Sequence, residues 1–257
     1  MLVRGNVEQR RAPSPAHFRR EFSDAGRPVL LKHAIADWRA VGRWTFAWFR
    51  ESHGDLSVPV QRWMASSFAH VEFERMKLSQ YLDRIHDSVA DGTQLHLAGH
   101  CMLRDAATLW DDISVPPYVG RLGDDQPFVF FSGKGTRTPL HHDLCHNFYA
   151  QVSGRKRFLL FSPDQRHLLH APPRWQRSAW TSPVDVDAPD YLVHPLARHA
   201  RPLEVVLKPG DALFLPGGYW HAVRSLDDSI AVAFFWEHGL RQRATRALLR
   251  AIGRPTT

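Results

Sequence analysis

The chain is poor in the features that mark membrane, secreted and fibrous proteins. No apolar run approaches the length of a membrane span, so no membrane association is expected. Only two cysteines occur, Cys101 and Cys145. That excludes a disulfide-dense scaffold. A single bridge remains open, but free thiols in a reducing compartment, and a cytoplasmic location, are the expectation. No internal repeat or long low-complexity segment is present, which argues against solenoids and arrays. Residues 1–16 are polar and basic with no apolar stretch, so no secretory signal is expected, and residues 1–14 read as a flexible tail. Acidic residues are also outnumbered, 26 against 33 Lys and Arg, for a net charge of +7. This permits an acidic partner such as RNA. The arginines are scattered, however, with no basic stripe interleaved with aromatics, so a generally basic solvated surface is the simpler reading.

What is present is enough to bury a sizeable core, with 44% hydrophobic residues in 257. Residues 15–125 read as a largely helical N-terminal part. Pro15 stands near a start, and Phe18, Phe22, Trp38, Trp44, Trp48 and Phe49 supply apolar faces. Residues 27–31 are a short strand candidate. Residues 77–85 form a helix candidate, with Leu78, Tyr81, Leu82 and Ile85 on one stripe. From 126 to 238 the pattern becomes short strands punctuated by Gly and Pro, as in a sandwich or barrel. Residues 164–202, rich in Pro, His, Arg and Trp, interrupt it as a long insertion. Residues 239–257 close the chain, and Leu240–Ile252 reads as a basic amphipathic helix, a dimer face or a cover for the barrel, with the dimer slightly preferred. The whole of 15–257 reads as one domain.

The chemistry concentrates at His141, Asp143 and His221. Two imidazoles and one carboxylate form a facial triad that holds Fe(II) and leaves positions open for a co-substrate and oxygen. A His-x-Asp pair alone is weak, since 16 histidines among this many aspartates give about one by chance. His53-Gly54-Asp55 is such a match and reads as a helix end and turn; His70-Val71-Glu72 is a similar near-match. His141 and Asp143 differ because residues two apart on a strand share a face, which turns His142 away. The same parity would put Asn147, Tyr149 and Gln151 inward. His221 follows the Gly-rich turn Pro216-Gly217-Gly218. Lys156 adds a cation suited to the far carboxylate of 2-oxoglutarate, with Thr138 and Asn147 as further donors. Taken alone, Lys156 also reads as a solvated turn residue.

These residues together resemble the Jumonji-C (JmjC) Fe(II)/2-oxoglutarate oxygenases of the cupin superfamily, most closely the protein hydroxylase group that includes factor-inhibiting HIF. Residues 135–143 resemble the first ligand strand, and residues 147–156 the hairpin that carries the lysine. Gly210, Pro216, Gly218 and His221 fit the second cupin motif, G-x5-P-x-G-x2-H, and residues 184–191 resemble the family insertion. The likeness reaches back to residues 26–30 and 36–38. It implies a mainly β fold with flanking helices, a double-stranded β-helix (jelly-roll). It implies Fe(II) on His141, Asp143 and His221, 2-oxoglutarate on Lys156, Thr138 and Asn147, and O2 as oxidant. There are departures. A tyrosine that often assists the co-substrate in relatives is matched here by His96, which could still donate a hydrogen bond but could titrate near neutral pH. Ala233 or Phe234 stands where some relatives carry Asn, and Ser225 where the motif usually ends in Asn.

The reading that follows is a hydroxylase of a protein or peptide side chain. Hydroxylation of RNA or a small molecule by the same chemistry is the alternative. A cupin-like binding module without turnover is the alternative of another class, although such a module is expected to lose a ligand or the lysine. Demethylation ranks below these. Trp38, Trp44, Trp48 and Phe49 read as core anchors. Trp175 and Trp180 are candidates to line a substrate cleft, and Cys145 reads as a packed thiol.

Overall fold

The computed structural model describes residues 4–64, 67–86, 92–100, 102–122, 127–176 and 178–236. Among the described residues, fourteen strands form two mixed sheets. The smaller has the order β1-β11-β10-β13-β8, from Gly5–Asn6, Leu203–Leu207, Lys156–Phe161, Trp220–Ser225 and Arg137–His142. The larger runs β2-β3-β12-β9-β14-β7-β6-β4-β5. Its strands are Glu8–Arg11, Val29–Lys32, Ala212–Leu215, His146–Ser153, Ser229–Trp236, Phe128–Ser132, Thr93–His100, Ser57–Met64 and Ser67–Lys77.

Alternation along these strands builds three apolar layers. Tyr149, Leu213, Leu215, Ala231 and Ala233 of the large sheet face Phe158, Leu160, Val205 and Leu207 of the small one. This is the interior of a jelly-roll. The opposite face of the large sheet, with Phe148, Ala150, Phe214 and Phe234, packs on Phe18, Phe22, Trp38, Trp44 and Phe49 from the N-terminal part. The outer face of the small sheet, with Leu140, Leu159, Phe161 and Trp220, is covered by Leu169, Val184, Val186, Ala197 and Ala200 of the insertion. Each layer unites residues distant in sequence.

Helix starts follow local capping. Ser14 accepts from the His17 amide ahead of α1 (Pro15–Phe18), and Thr45 accepts from the Trp48 amide. After the single turn α2 (Ala40–Arg43) comes α3 (Phe46–His53), which ends at His53, so His53-Gly54-Asp55 is indeed a helix end. The stripe of residues 77–85 becomes α4 (Leu78–Arg84), with Tyr81 fully buried.

Two expectations require correction. Residues 15–125 are not mainly helical, because β4, β5 and β6 extend the large sheet beyond β7. Val58, Val60 and Met76 bury one face of that extension in the N-terminal core, while Glu72, Phe73, Glu74 and Arg75 stay exposed. Residues 4–14 of the expected tail are not simply a tail. Strands β1 and β2 pair in parallel with β11 and β3, Val7 enters the interior, and ion pairs Arg4–Glu204 (3.0 Å) and Arg27–Glu8 (2.6 Å) hold the segment. Backbone pairing along open sheet edges recruits a sequence with almost no apolar residues. The C-terminal helix expected at Leu240–Ile252 lies outside the described residues. Among the described residues, no helix is long and apolar enough to cross a membrane.

Candidate metal and co-substrate site

Strands β8 and β13 bring the two histidines together. His221 pairs directly with His141 across the ladder, so both side chains leave the same face, with ring centroids 4.1 Å apart. Asp143 follows β8 in the turn, and its carbonyl accepts from the Gly218 amide at 2.7 Å. The next amide, Gly217 N, donates to His146 Nδ1 at 2.9 Å. The Gly-rich turn that delivers His221 is thus pinned to the segment that carries Asp143. One ligand atom from each of His141, Asp143 and His221 lies within 4.8 Å of the others.

The rings are also aimed. His141 Nδ1 lies 2.8 Å from the Pro139 carbonyl, and His221 Nδ1 lies 3.1 Å from the Tyr219 carbonyl. A carbonyl only accepts, so each Nδ1 carries the proton and each Nε2 presents its lone pair. His221 Nε2 lies 3.7 Å from Asp143 Oδ2. Burial holds His221 well below the ordinary histidine range and raises Asp143 above the usual carboxylate range, the latter opposed by His141. Neutral imidazoles oriented by backbone carbonyls, beside a buried carboxylate, are the donor set that Fe(II) takes. His142 points to the other face, packs on Trp220 at 4.6 Å, and is pushed down to about 4 by burial.

Thr138 reaches the inner face by an irregularity. Strict alternation would separate it from His141, three residues on. The register between β13 and β8 shifts between His221 and Val223, so that Pro139 and Leu140 together stand opposite Ala222. Thr138 then pairs with Val223, which packs on the interior layer. Pro139, which has no N–H to give to a ladder, sits at this bulge.

Deeper in the barrel, Lys156 leads β10 and shares the inward face of Phe158 and Leu160. It is 3% exposed, so the solvated-turn reading does not hold. Its Nζ donates to Ser132 Oγ at 3.0 Å and to Tyr149 Oη at 2.6 Å. Among the described residues no carboxylate pairs with it, and burial pushes it down to about 7. Asn147 is buried on the inward face of β9, and its Oδ1 has no hydrogen-bond partner among the described residues. The Lys156 environment fits an acidic ligand, and the orphan Asn147 oxygen fits a donor group. Gln151, also inward, instead donates to the Ser153 and Gly154 carbonyls and braces the β9–β10 turn. His96 is buried on β6, but the expectation that it titrates near neutrality is not met. Burial, then the charges of Lys156 and His141, push it down to about 3. Sequence reasoning missed Ser132 and did not assign Tyr149 a site role, although inward parity had placed Tyr149 correctly.

The insertion reaches the site as well. Residues 180–182 lie along the free edge of β8. His142 N donates to the Trp180 carbonyl, Ser182 N donates to the Leu140 carbonyl, and Thr181 bridges His141. The Trp180 ring stands perpendicular to that of His141 at 6.2 Å, whereas Trp175 is largely exposed. Cys145 is buried as a thiol, and Cys101 lies outside the described residues.

Residues 15–242 match the model of the cupin-like domain. The chain belongs to the cupin-like domain family. Members similar to it include "Lysine-specific demethylase 8" of Danio rerio, 33% identical over 87% of this chain and 56% of that protein. "2-oxoglutarate and iron-dependent oxygenase JMJD4" of Mus musculus is 26% identical over 91% of this chain and 60% of its own length. "Bifunctional peptidase and (3S)-lysyl hydroxylase JMJD7" of Homo sapiens is 27% identical over 88% and 82%. The chain therefore spans little more than half the length of the first two. Family and relatives bear out the JmjC Fe(II)/2-oxoglutarate oxygenase resemblance, and the cofactors of such a family member are Fe(II), 2-oxoglutarate and O2.

Proposed function

We propose that the protein is an Fe(II)- and 2-oxoglutarate-dependent hydroxylase acting on a protein or peptide side chain. One observation carries the reading: the interior of a single barrel holds a two-His, one-carboxylate cluster and a buried lysine without a described carboxylate partner. His141, Asp143 and His221 would hold the metal. Lys156, Thr138 and Asn147 would hold 2-oxoglutarate, with His96 as a neutral neighbour. When bound, Fe(II) and 2-oxoglutarate supply the O2 chemistry that inserts oxygen into a C–H bond and releases succinate and CO2. The chain's residues bind and orient. The Pro139 and Tyr219 carbonyls fix the imidazole tautomers, and the buried ammonium anchors one end of a dicarboxylate. No side-chain general base is required, and none is assigned.

A protein substrate is favoured by the relatives, one of which is named a lysyl hydroxylase and another a lysine-specific demethylase. The net charge of +7 keeps an RNA substrate as the second reading. The test is succinate release by Fe(II)-loaded protein with peptide pools, RNA pools and metabolite pools, with hydroxylation read as a gain of about 16 Da. Peptide-dependent succinate and mass gain, lost in His141→Ala and Lys156→Ala, support the proposal. Dependence on RNA alone favours the second reading. Binding of metal and 2-oxoglutarate with no turnover in any pool favours a binding module.

A further inference from the structure

The Lys156 ammonium sits inside the barrel with only two described partners, the hydroxyls of Ser132 and Tyr149. Both are neutral and themselves buried, at 1% and 7% exposure. An ammonium has protons to donate and nothing to accept with, so both hydroxyls act as acceptors toward it. Each therefore keeps its own O–H proton, and no described acceptor takes either. Three donors thus gather at one point of an apolar interior, with a cation among them and no described anion. Buried polar groups are rarely left in that state unless a ligand completes them. A carboxylate has two oxygens and about four lone-pair sites, and matches three converging donors. The surroundings hold the arrangement rigid. The Tyr149 ring packs on Phe158 at 5.2 Å and on Phe130 at 5.9 Å, and Ser132 is fixed in the β7–β14 ladder opposite Ser229.

We infer that Tyr149 and Ser132 complete, with Lys156, a three-donor cradle that selects the co-substrate by its distal carboxylate. The inference rests on the 2-oxoglutarate reading and adds two recognition residues to it. His96 packs near Phe130, with ring centroids 6.0 Å apart, and its neutral imidazole brings no charge. The hydroxyl nearest the cation comes instead from β9. Tyr149 and Ser132 are recognition residues for a carboxylate.

The experiment is calorimetric titration of the full chain loaded with redox-inert Mn(II), using two probes. 2-Oxoglutarate carries the distal carboxylate; 2-oxobutyrate has the same keto-acid end without it. Tyr149→Phe and Ser132→Ala are each expected to weaken 2-oxoglutarate about tenfold, the loss of one hydrogen bond to a charged group. Both are expected to leave 2-oxobutyrate within about twofold. A merely structural role would weaken both keto acids together. That result, or unchanged 2-oxoglutarate affinity in both variants, would overturn the inference. If Tyr149→Phe fails to fold, Ser132→Ala alone reads the same selectivity. Wild-type protein that binds neither keto acid, or binds both equally, would overturn the co-substrate reading together with this one, a pattern distinct from selective failure of the variants.

Discussion

His141 and His221 stand opposite each other on neighbouring antiparallel strands, and each turns its Nδ1 toward the carbonyl two residues before it. Backbone carbonyls of their own chain segments aim the two imidazoles. The geometry of the candidate metal site is therefore a property of the β8–β13 ladder. It is expected to survive loss of any one ligand side chain, although metal affinity would not.

Mn(II) or Co(II) at about 100 times its dissociation constant would add about 2.7 kcal/mol to wild-type stability. At about 2–4 °C per kcal/mol, that raises the melting temperature by about 5–10 °C. Addition of a chelator is expected to reverse the rise. In His141→Ala and Asp143→Ala the same metal is expected to shift melting by less than about 2 °C. A full shift in either variant would show that the metal binds elsewhere.

Lys156 gives the protein a pH signature. Its ammonium is pushed down to about 7 by burial, against an ordinary value of 10.5. Below about pH 7 it is charged in both folded and unfolded chains, and the full burial penalty is felt. Between about 7 and 10.5 the folded chain has lost the proton and the unfolded chain has kept it, so stability of the ligand-free protein rises with pH. Lys156→Met is expected to flatten this rise in thermal melts from pH 6.5 to 9. Binding of a dicarboxylate runs the opposite way, because it needs the charged form. Affinity is expected to fall by up to about tenfold per pH unit above 7. Proton uptake would appear as buffer-dependent binding heat. Affinity that stays flat over this range would exclude Lys156 as the anchor.

Gly154 sets the turn that delivers Lys156. Its φ is +67°, and a Cβ there would lie 2.0 Å from the Asp228 carbonyl oxygen. Gly154→Ala therefore combines left-handed strain with a clash against backbone. A loss of about 2–4 kcal/mol is expected, or about 4–16 °C in melting temperature. The measurement is a denaturation curve; a shift under about 2 °C would mean that the turn can relax.

Arg166 ties the insertion together. Nη1 donates to the Ala179 carbonyl at 2.9 Å, Nη2 donates to the Pro172 carbonyl, and the guanidinium lies 5.5 Å from the Trp220 ring centroid. Lysine lacks the planar fork, so Arg166→Lys is expected to behave almost as Arg166→Ala. Both are expected to speed proteolytic cleavage between 172 and 179 by roughly tenfold or more, a local loss of about 1.4 kcal/mol or more. Global melting is expected to change little. Unchanged cleavage would mean that other contacts hold the loop.

Much of the site was legible in the sequence because its signals are local and periodic. Strand parity separated His141 from His142 and placed Asn147, Tyr149 and Gln151 inward. The Thr138 position was not legible from parity, since it depends on a bulge opposite Ala222 that one strand alone does not reveal. The polar partners of Lys156 come from β7 and β9, and no spacing rule links Ser132 to either. The strands at 57–77 were hidden by Pro59 and by charged residues on their exposed face. Those at 5–11 were hidden because pairing, not burial of side chains, recruits them. His96 looked titratable in the sequence, and only its burial makes it inert near neutral pH.

The edge pairing made by residues 180–182 bears on how this barrel can be recombined. The insertion from 164 to 202 invites exchange as one cassette between related proteins. Such an exchange would strip β8 of its outer neighbour and take away the lid of one core layer, at the residues flanking His141. Exchanges confined to 171–178 or 188–194 would leave that edge paired. The interchangeable parts are two short loops, and the segment between them belongs to the chassis.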